Sequence, residues 1–448
     1  MTTRIAEAIA SAFLDGSWTP EPMATRASLA LGMRFAWLRR LARVVLRKFP
    51  EPPYERFEAL AAVLDEDNDV IAAQRLPLHI VFRAPFVGMR DAHPSWGLPR
   101  IDTVGDLANA LDLDVPTLLW LADARGLSRL GRTPHYHARW MAKPRGGFRL
   151  LEAPKARLKA VQRALLTHLV DKIPVHPAAH GFVRGKSVLS HASLHVGHDV
   201  VLRMDLEDFF ASVPAARVFA TFRALGYTAN VSRLLGALVT TRAAASETGI
   251  LASTPTTSDV DALFRMRRRM HARHLPQGAP TSPAIANLSA FGLDVRLAAA
   301  AEKVGARYSR YADDLVFSGN REFAWNVHGF STLVAAIAID EGFVVNHRKT
   351  HLARKGRQQK VTGIVVNRTP SIARREIDAL KATLVNCART GPAAQNRDHH
   401  PDFERHLRGR VAWMVHVKPS LAPKLEPLLS AIRFPPSKGD PPNPPAEA

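Results

Sequence analysis

The sequence predicts a mixed α+β fold in which short apolar strands end in acidic residues and amphipathic helices connect the strands. One apolar run leads directly into Asp205. The pair Asp313 and Asp314 falls in a predicted turn between two β-prone stretches, residues 307–311 and 315–318. Because strand ends from distant parts of a chain can meet at one edge of a sheet, we expect the three carboxylates to lie close together.

An adjacent pair of carboxylates also has an ordinary explanation, since an Asp-Asp pair at a hairpin tip is often no more than solvated surface. The acidic strand end at Asp205 favours a functional interpretation, because carboxylate oxygens are the ligands that hard divalent cations prefer. Two such cations can act on the attacking oxygen and the leaving oxygen of a phosphoryl group. The pattern therefore favours a two-metal site for phosphoryl transfer.

The charge of the chain indicates a polyanionic partner. Its 448 residues include 61 Lys and Arg against 40 Asp and Glu, a formal net charge of +21 at pH 7. Residues 1–100 contain 13 basic and 11 acidic residues, so +19 of the net charge falls on residues 101–448. A basic body around a small acidic centre suits an enzyme that holds nucleic acid, with an anionic membrane as the second choice.

Cysteine content and hydropathy favour a cytoplasmic protein. Cys387 is the only cysteine, which excludes a disulfide framework and a cysteine-based zinc site and fits a reducing compartment. No apolar run reaches the length of a membrane-spanning helix, and the N-terminus lacks the pattern of an export signal. We therefore expect no association with a membrane.

The first hundred residues are predicted to be mostly helical. A short helix and a Pro-containing loop at residues 18–22 precede a helical period over residues 27–49, which three prolines end. One face of this second helix is apolar, and the other carries four arginines: Arg39, Arg40, Arg43 and Arg47. Those arginines could grip RNA or a membrane surface, although a docked helix with a solvated basic face is the more common arrangement.

Further helices and strands follow from the periodicity and the turn residues. Thr103 is expected to cap a helix over residues 104–111, and Pro144–Gly147 is expected to be the turn of a hairpin. The other predicted elements are helices at residues 116–124, 154–173, 214–241, 284–303 and 325–341, a strand at 360–367, and a mostly helical region at 372–433.

Three basic segments are candidates for contact with nucleic acid. The loop from His180 to Ser187 contains two glycines and can bring its backbone and Arg184 close to phosphate. His191 and His195 have the i, i+4 spacing of a zinc pair, but without a third ligand, packing or RNA contact is the better explanation. The best local candidate for contact with a phosphate backbone is a run of five arginines: Arg265, Arg267, Arg268, Arg269 and Arg273.

The order of the motifs resembles that of a reverse transcriptase. A basic hairpin, a Gly-Phe-x-Arg loop, an Asp followed by Phe-Phe, a Pro-Gln-Gly turn, Tyr-Ala-Asp-Asp and Gly-Phe-x-x-Asn-x-x-Lys succeed one another over about 215 residues. The resemblance runs from about residue 103 to about residue 420 and is strongest to the bacterial retron enzymes. Val361-Thr362-Gly363 supports that group, as does the stretch from His191 to His195, where retron enzymes commonly have Asn in the first position.

The resemblance implies an α+β right-hand polymerase with fingers, palm and thumb. Residues 101–370 would form the fingers and palm, and residues 371–433 would form a helical thumb. Residues 1–100 would be a mostly helical N-terminal extension of unknown role, and residues 434–448 a disordered, proline-rich tail.

The resemblance also implies roles for individual residues. Asp205, Asp313 and Asp314 would be the catalytic carboxylates and would bind two Mg²⁺ ions together with the backbone carbonyl of Leu206. Phe210 would be the steric gate that selects deoxynucleotides, whereas Phe209 is expected in the core. The other residues implied in nucleotide binding are Lys143, Arg149, Gln277, Gly278 and Lys349. The residues implied in RNA binding are Arg184, His195, Val361, Thr362 and Gly363.

By the same resemblance, the chain would be an RNA-directed DNA polymerase that copies a structured non-coding RNA into a short single-stranded DNA. It would use deoxynucleoside triphosphates, hold an RNA–DNA hybrid and start from a 2′-OH of the RNA, and a separate effector protein would link it to defence against phage. The alternatives are a reverse transcriptase of another bacterial lineage and a catalytically silent, polymerase-like scaffold that binds RNA. The presence of all three aspartates disfavours the scaffold.

Overall fold

The computed structural model describes residues 2–53, 56–78, 80, 89, 94–124, 135–142, 148–243 and 260–434. The predicted turn at Pro144–Gly147 and all but the first residue of the expected tail lie outside the described residues. The chain divides into two compact units. The first comprises Met1–His176, Glu207–Gly292 and Glu341–Phe343, and the second comprises Pro177–Leu206, Leu293–Asp340 and Val344–Ala448.

The described residues contain helices and strands in the alternation that the sequence predicts. The helices are α1 (Arg4–Leu14), α2 (Pro20–Leu31), α3 (Trp37–Lys48), α4 (Phe57–Asp65), α5 (Asn68–Ala73), α6 (Val104–Ala110), α7 (Val115–Ala122), α8 (Ala156–His168), α9 (Val188–Ser193), α10 (Ala215–Ala224), α11 (Ala229–Val239), α12 (Val260–His271), α13 (Ser282–Ser289), α14 (Phe291–Lys303), α15 (Arg321–Asp340), α16 (Arg374–Thr390), α17 (Pro392–Gln395), α18 (Phe403–Val417) and α19 (Ala422–Ser430). The strands are β1 (Tyr136–Ala142), β2 (Phe148–Pro154), β3 (Val200–Leu206), β4 (Arg307–Tyr311), β5 (Asp314–Gly319), β6 (Val345–Arg354), β7 (Lys360–Val361) and β8 (Ile364–Val365). Short 3₁₀ helices occur at Pro94–Trp96, Val170–Lys172 and Pro419–Leu421.

Helices α1 to α5 of the first unit pack around a shared apolar core, in which Ile9, Phe13, Leu38 and Leu60 are fully buried. The burial of one apolar face on each helix supplies most of the stability of such short helices, because isolated helices of this length are marginal in water. The helical N-terminal region expected from the sequence is therefore confirmed.

The bounds of two N-terminal predictions are wrong. The single helix expected over residues 27–49 is broken, because α2 ends at Gly32, whose φ of +69° closes the helix in the left-handed conformation. The loop expected at residues 18–22 is shorter, since Pro20 begins α2. Proline fits the first turn of a helix, where its missing N–H leaves no hydrogen bond unmade.

The elements that follow in the first unit agree well with the sequence patterns. Thr103 caps α6 through a reciprocal capping box with Asp106, as predicted for the start of that helix. Strands β1 and β2 pair in antiparallel register from Tyr136 opposite Pro154 to Ala142 opposite Phe148. The helix expected over residues 214–241 is divided into α10 and α11.

The helix predicted over residues 284–303 is also two helices, because α13 ends at Ser289 and α14 begins at Phe291. Within the described parts of the chain, no single helix is both long enough and apolar enough to cross a membrane. Among the described helices, α13 and α14 taken together as a bent pair pass that test of length and composition.

The second unit is built on an antiparallel sheet with the strand order β4-β5-β3-β6. Central strand β3 is buried along most of its length, as are Val316 and Phe317 on β5. Helix α15 packs on this sheet, and the ring of its Phe330 lies edge-on to Phe317 with 5.0 Å between ring centroids. The sheet therefore supplies a rigid base for the residues at its end.

The strand predicted over residues 360–367 is instead a small hairpin, in which β7 and β8 pair antiparallel through Val361 and Ile364. Thr362 and Gly363 form its two-residue turn with φ values of +45° and +87°. Two successive positive φ values are typical of the tight turns that match the twist of a hairpin. The sequence pattern missed this turn because threonine rarely takes a left-handed conformation.

The C-terminal part of the second unit is helical, as predicted for residues 372–433. Helices α16, α18 and α19 share an apolar core with fully buried Leu380, Leu384, Leu407 and Leu425. Cys387 is buried in the same core.

Candidate active site

Three carboxylates meet at one end of the antiparallel sheet, all within the second unit. The register of β3 and β5 places Asp205 directly opposite Asp314. Asp313 lies in the turn before β5, and its carbonyl accepts a hydrogen bond from the backbone N–H of Leu206 at 2.8 Å. The two acidic strand ends that the sequence singled out are therefore brought together by the pairing of β3 with β5.

The electrostatics of the cluster favour a bound cation. Burial raises the pKa of Asp313, and the neighbouring charge of Asp205 raises it further. Burial also raises the pKa of Asp314, although the guanidinium of Arg203 opposes that increase. Raised carboxyl pKa values mean that the negative charge is poorly compensated, which a divalent cation would correct.

Two basic side chains contact the carboxylates. Lys349 on β6 donates a hydrogen bond from Nζ to Oδ2 of Asp205 at 2.8 Å. Arg203 on β3 donates from Nη2 to Oδ2 of Asp314 at 2.8 Å. Asp205 and Asp314 thus each have one carboxylate oxygen bound by a positively charged side chain.

The donor set fits a hard divalent cation. Three carboxylates supply only oxygen ligands, which Mg²⁺ prefers. Across the ranges that the structure describes, no group of three or more His, Cys, Asp or Glu side chains is already arranged as a metal-binding cluster. A cation bound by these carboxylates would compete with the ammonium of Lys349 for Asp205 and with the guanidinium of Arg203 for Asp314.

The basic loop from His180 to Ser187 lies against the strand before the carboxylates. The backbone N–H of His180 donates to the carbonyl of Arg310 at 2.7 Å. Lys186 donates from Nζ to the carbonyl of Ala179 at 2.8 Å, and burial lowers its pKa. Arg184 is exposed and is the side chain of this loop that remains suited to contact with phosphate.

The two histidines of the zinc-like spacing are core residues. His195 is fully buried, and its ring nitrogens lie 2.7 Å from the hydroxyl of Ser318 and 2.6 Å from that of Ser309. Burial lowers the pKa of His195 well below its usual range. His191 is also fully buried, so the structure agrees with packing, one of the two explanations preferred over a zinc pair.

Burial changes the expectation for two of the predicted RNA-binding residues. The side chains of His195 and Val361 have no exposed surface, so neither presents a side chain to RNA in this conformation, and their role in RNA binding stays a prediction. Thr362 is half-buried and Gly363 is exposed at the tip of the β7–β8 hairpin. Sequence patterns could not separate these cases, because burial at a short strand depends on what packs above it.

Three of the residues expected to hold the nucleotide, Arg149, Gln277 and Gly278, lie in the first unit, whereas Lys349 lies in the second. Gln277 is half-buried and Gly278 is exposed, and the carbonyl of Gln277 accepts a hydrogen bond from the N–H of Glu152 at 2.9 Å. A Cβ on Gly278 would lie 3.1 Å from the carbonyl oxygen of Glu152, so the turn passes close to β2. Arg149 is exposed on β2, whereas Lys143 lies outside the described residues.

The adjacent phenylalanines have different environments. Phe209 is buried and its ring stacks on Phe343 with 5.7 Å between centroids, which confirms the prediction of a core residue. Phe210 is half-buried, so part of its ring is accessible. That difference is the one expected if only Phe210 has a role in contact with a ligand.

The run of five arginines, four of them on α12, is less available for contact with nucleic acid than the sequence suggests. Arg265 pairs with Glu207 at 3.3 Å and Arg269 with Asp208 at 3.4 Å. Arg273 donates to backbone carbonyls, including that of Asp123 at 2.7 Å. Three of the five arginines therefore have partners within the protein, and Arg267 and Arg268 are the exposed members.

Comparison with known proteins identifies the family of the chain. Residues 141–366 match the family described as "Reverse transcriptase (RNA-dependent DNA polymerase)". The chain is 40% identical over 332 residues to the retron Mx65 reverse transcriptase of Myxococcus xanthus, with 74% of this chain and 72% of the relative covered. It is 31% identical over 329 residues to the retron Ec86 reverse transcriptase of Escherichia coli, with coverages of 72% and 86%.

A solved structure of telomerase from Candida albicans, in complex with a fragment of telomeric RNA, matches 66% of this chain and 55% of its own chain. The sequence identity is 11% and the TM-score is 0.34, and both are too low to support a conclusion about this chain.

With the carboxylate site and the sequence relatives taken together, the chain belongs to the reverse transcriptase family and is an RNA-directed DNA polymerase. Its fold is the α+β right-hand polymerase with a helical N-terminal extension, as the sequence predicted. Within the family, it is a bacterial retron-type reverse transcriptase.

Sequence reasoning missed two charged residues of the site region. Arg203 lies two positions before Asp205 in β3 and so on the same face of the strand, a signal that alternation alone could have supplied. Asp294 on α14 is buried against Arg310, and no local pattern marks it.

Proposed function

We propose that this reverse transcriptase copies a structured non-coding RNA into a short single-stranded DNA by two-metal phosphoryl transfer. The observation that carries the proposal is the meeting of Asp205, Asp313 and Asp314 at one sheet end, with raised pKa values at Asp313 and Asp314. In this proposal the three carboxylates and the carbonyl of Leu206 hold two Mg²⁺ ions. When bound, the ions would acidify the primer hydroxyl and neutralise charge on the leaving pyrophosphate.

Lys349 and Arg203 have a part in this proposal as local counter-ions. In the absence of divalent cations they hold one oxygen each of Asp205 and Asp314, which keeps mutually repelling carboxylates in place. On loading, Lys349 would be released toward the phosphates of the incoming nucleotide, for which its compact ammonium is suited.

Nucleotide selection is assigned to residues of the first unit. Phe210 is proposed as the steric gate, because a bulky and partly accessible ring would collide with a ribose 2′-OH. Gln277 and Gly278 would line the incoming nucleotide, and a Cβ on Gly278 would be strained by its φ of +133° and by its tight contact with the Glu152 carbonyl. Lys143 and Arg149 would bind the triphosphate.

Recognition of the template is assigned to exposed groups near the palm. Arg184 would contact phosphate, and Thr362 and Gly363 would contact the structured RNA through the hairpin tip. The division into fingers and palm at residues 101–370, thumb at 371–433 and tail at 434–448 is part of the same proposal. The proposal also includes priming from a 2′-OH of the RNA, a cytoplasmic location, and a separate effector protein in defence against phage.

The proposal is tested through the nucleic acid that the protein carries. The protein is purified from cells with its natural locus, treated with RNase, and the bound DNA is sequenced. A single-stranded DNA of one defined sequence, joined to RNA until it is debranched, is the expected result.

A matched control is the chain with Asp313→Asn and Asp314→Asn, expressed from the same locus. It should carry the RNA without the DNA. If the native protein carries no DNA but extends an added primer on RNA with Mg²⁺, the template assignment is wrong and the polymerase remains. Absence of both activities would favour the catalytically silent scaffold.

A further inference from the structure

The residue before the Tyr-Ala-Asp-Asp stretch has an unusual environment. Arg310 is fully buried, and its guanidinium makes a two-point contact with Asp294 on α14, from Nε to Oδ1 at 2.8 Å and from Nη2 to Oδ2 at 2.6 Å. Asp294 is also fully buried. Burial of two charges costs desolvation free energy that apolar residues of the same volume would not, so we assign this pair a role in specifying one conformation and not in adding stability.

The third arm of the same guanidinium reaches the turn that carries Asp313. Nη1 of Arg310 donates to the carbonyl oxygen of Ala312 at 3.0 Å. Ala312 has a φ of +56°, a left-handed conformation that alanine takes only at a cost. The turn therefore needs support from outside, and the buried ion pair supplies it.

The opposite side of the turn is held by the loop before α9. A Cβ on Gly181 would lie only 2.5 Å from the backbone nitrogen of Ala312, so this position has no room for a side chain. The backbone of Arg310 donates to the carbonyl of Ala178 at 2.8 Å and accepts from His180 at 2.7 Å. The turn is thus held between a glycine contact and the ion pair.

Tyr308 provides an internal comparison. Its hydroxyl donates to Oδ1 of Asp294 at 2.7 Å, but its side chain has no described hydrogen bond to the turn. It contributes to the same buried group without reaching Ala312. If the buried group contributed only to packing, substitution of Tyr308 and of Arg310 would have similar effects on the site. If the group positions Asp313, only substitution of Arg310 would affect the site.

We propose that Arg310 and Asp294 form a positioning pair that fixes the Ala312–Asp313 turn and so sets the affinity of the carboxylate site for divalent cations. This inference rests on the proposed function, because it assumes that the site binds such a cation. Neither residue contacts the reacting atoms, and both act through the backbone of the turn.

The test uses Arg310→Lys in the full-length protein. Lysine keeps the positive charge opposite Asp294, but one ammonium cannot span that carboxylate and the Ala312 carbonyl together. Binding of Mn²⁺, followed by electron paramagnetic resonance without nucleotide, should weaken about tenfold, as expected for loss of one charge-assisted hydrogen bond. The Mg²⁺ concentration for half-maximal synthesis should rise in parallel, with an unchanged KM for deoxynucleotides.

Tyr308→Phe is the matched control and should leave Mn²⁺ affinity within about twofold of the native value. An equal loss in both variants would mean general loosening of the core and would overturn the positioning role. So would native Mn²⁺ affinity in Arg310→Lys.

If Arg310→Lys does not fold, Gly181→Ala perturbs the same turn from the other side without touching the ion pair. It should weaken Mn²⁺ binding as well, and unchanged binding would contradict the inference. A native protein that binds no Mn²⁺ at all would instead refute the proposed metal site, so the two failures are distinguishable.

Discussion

Two hairpins of the second unit have tight turns with positive φ values and are held in very different ways. The turn between β4 and β5 has Ala312 at +56° and is held by the buried guanidinium of Arg310 and the close contact of Gly181. The turn between β7 and β8 has Thr362 and Gly363 at +45° and +87°.

The second turn has weaker support. The hydroxyl of Thr362 lies 3.4 Å from the carbonyl of Val188 and 3.5 Å from Nδ1 of His191, both at the long end for hydrogen bonds. Gly363 is exposed, and an added Cβ would meet no atom within 4 Å. The difference agrees with the two proposals, in which the first turn holds the catalytic carboxylates and the second contacts the RNA.

The largest expected effect is at the first turn. Asp313→Asn together with Asp314→Asn should reduce DNA synthesis by at least about a thousandfold, because two of the three proposed carboxylate ligands of the metal are lost. Extension of a DNA primer on an RNA template measures the effect. RNA binding, measured by filter retention, should be largely intact, and full synthesis by this variant would refute the site assignment.

The next largest effect is on the free energy of unfolding, which substitutions near the two hairpins should lower by different amounts. Asp294→Asn leaves the buried charge of Arg310 without its counter-ion and should cost about 3–5 kcal/mol of unfolding free energy. The β7–β8 hairpin has an exposed pair instead, Lys360 with Glu376 at 3.1 Å, so Glu376→Gln should cost less than about 1 kcal/mol. Urea denaturation measures both, and equal losses would contradict the distinction drawn between the two turns.

A smaller effect is expected at the second turn. Gly363→Ala adds a side chain at a left-handed position and should lower the affinity for the cognate RNA about tenfold through distortion of the tip. Synthesis on an added primer–template should be unchanged. Gly356→Ala is the control, since Gly356 is exposed with open space around its Cβ and has no left-handed φ. Equal RNA affinities of the two variants would remove the proposed role of the tip.

The smallest effect is the pH dependence of stability. The pKa values of Asp313 and Asp314 are raised, so their protonation stabilises the metal-free fold at low pH, and this contribution is lost as pH rises through the raised values. At neutral pH without divalent cations, the double Asn variant should therefore be more stable than the native chain, by up to about 1 kcal/mol.

That difference should shrink as pH falls toward the ordinary carboxyl range. Addition of Mg²⁺ should reverse its sign, because only the native site gains stability from the bound ion. Thermal unfolding at pH 7 and pH 4.5, with and without Mg²⁺, measures both changes. A native chain that loses stability relative to the variant on acidification would contradict the assigned direction.

The sequence by itself determined the features that depend on neighbouring residues. The acidic strand ends at Asp205 and Asp313, the cap at Thr103 and the two strands of the β1–β2 hairpin all follow from local patterns, and each is present in the structure. The order of the motifs was enough to identify the family and, through it, the fold class, because that order is read directly along the sequence.

Only the tertiary structure decided which charges are available and which are used internally. Three examples depend on residues that are distant in the chain or on different elements. They are the pairing of Arg203 with Asp314, the burial of His195 against Ser318, and the contact of Arg310 with Asp294. Burial and ion pairing depend on the three-dimensional neighbours of a side chain. A sequence pattern places a residue on one face of its own helix or strand. Which other residue contacts that face is determined by tertiary packing.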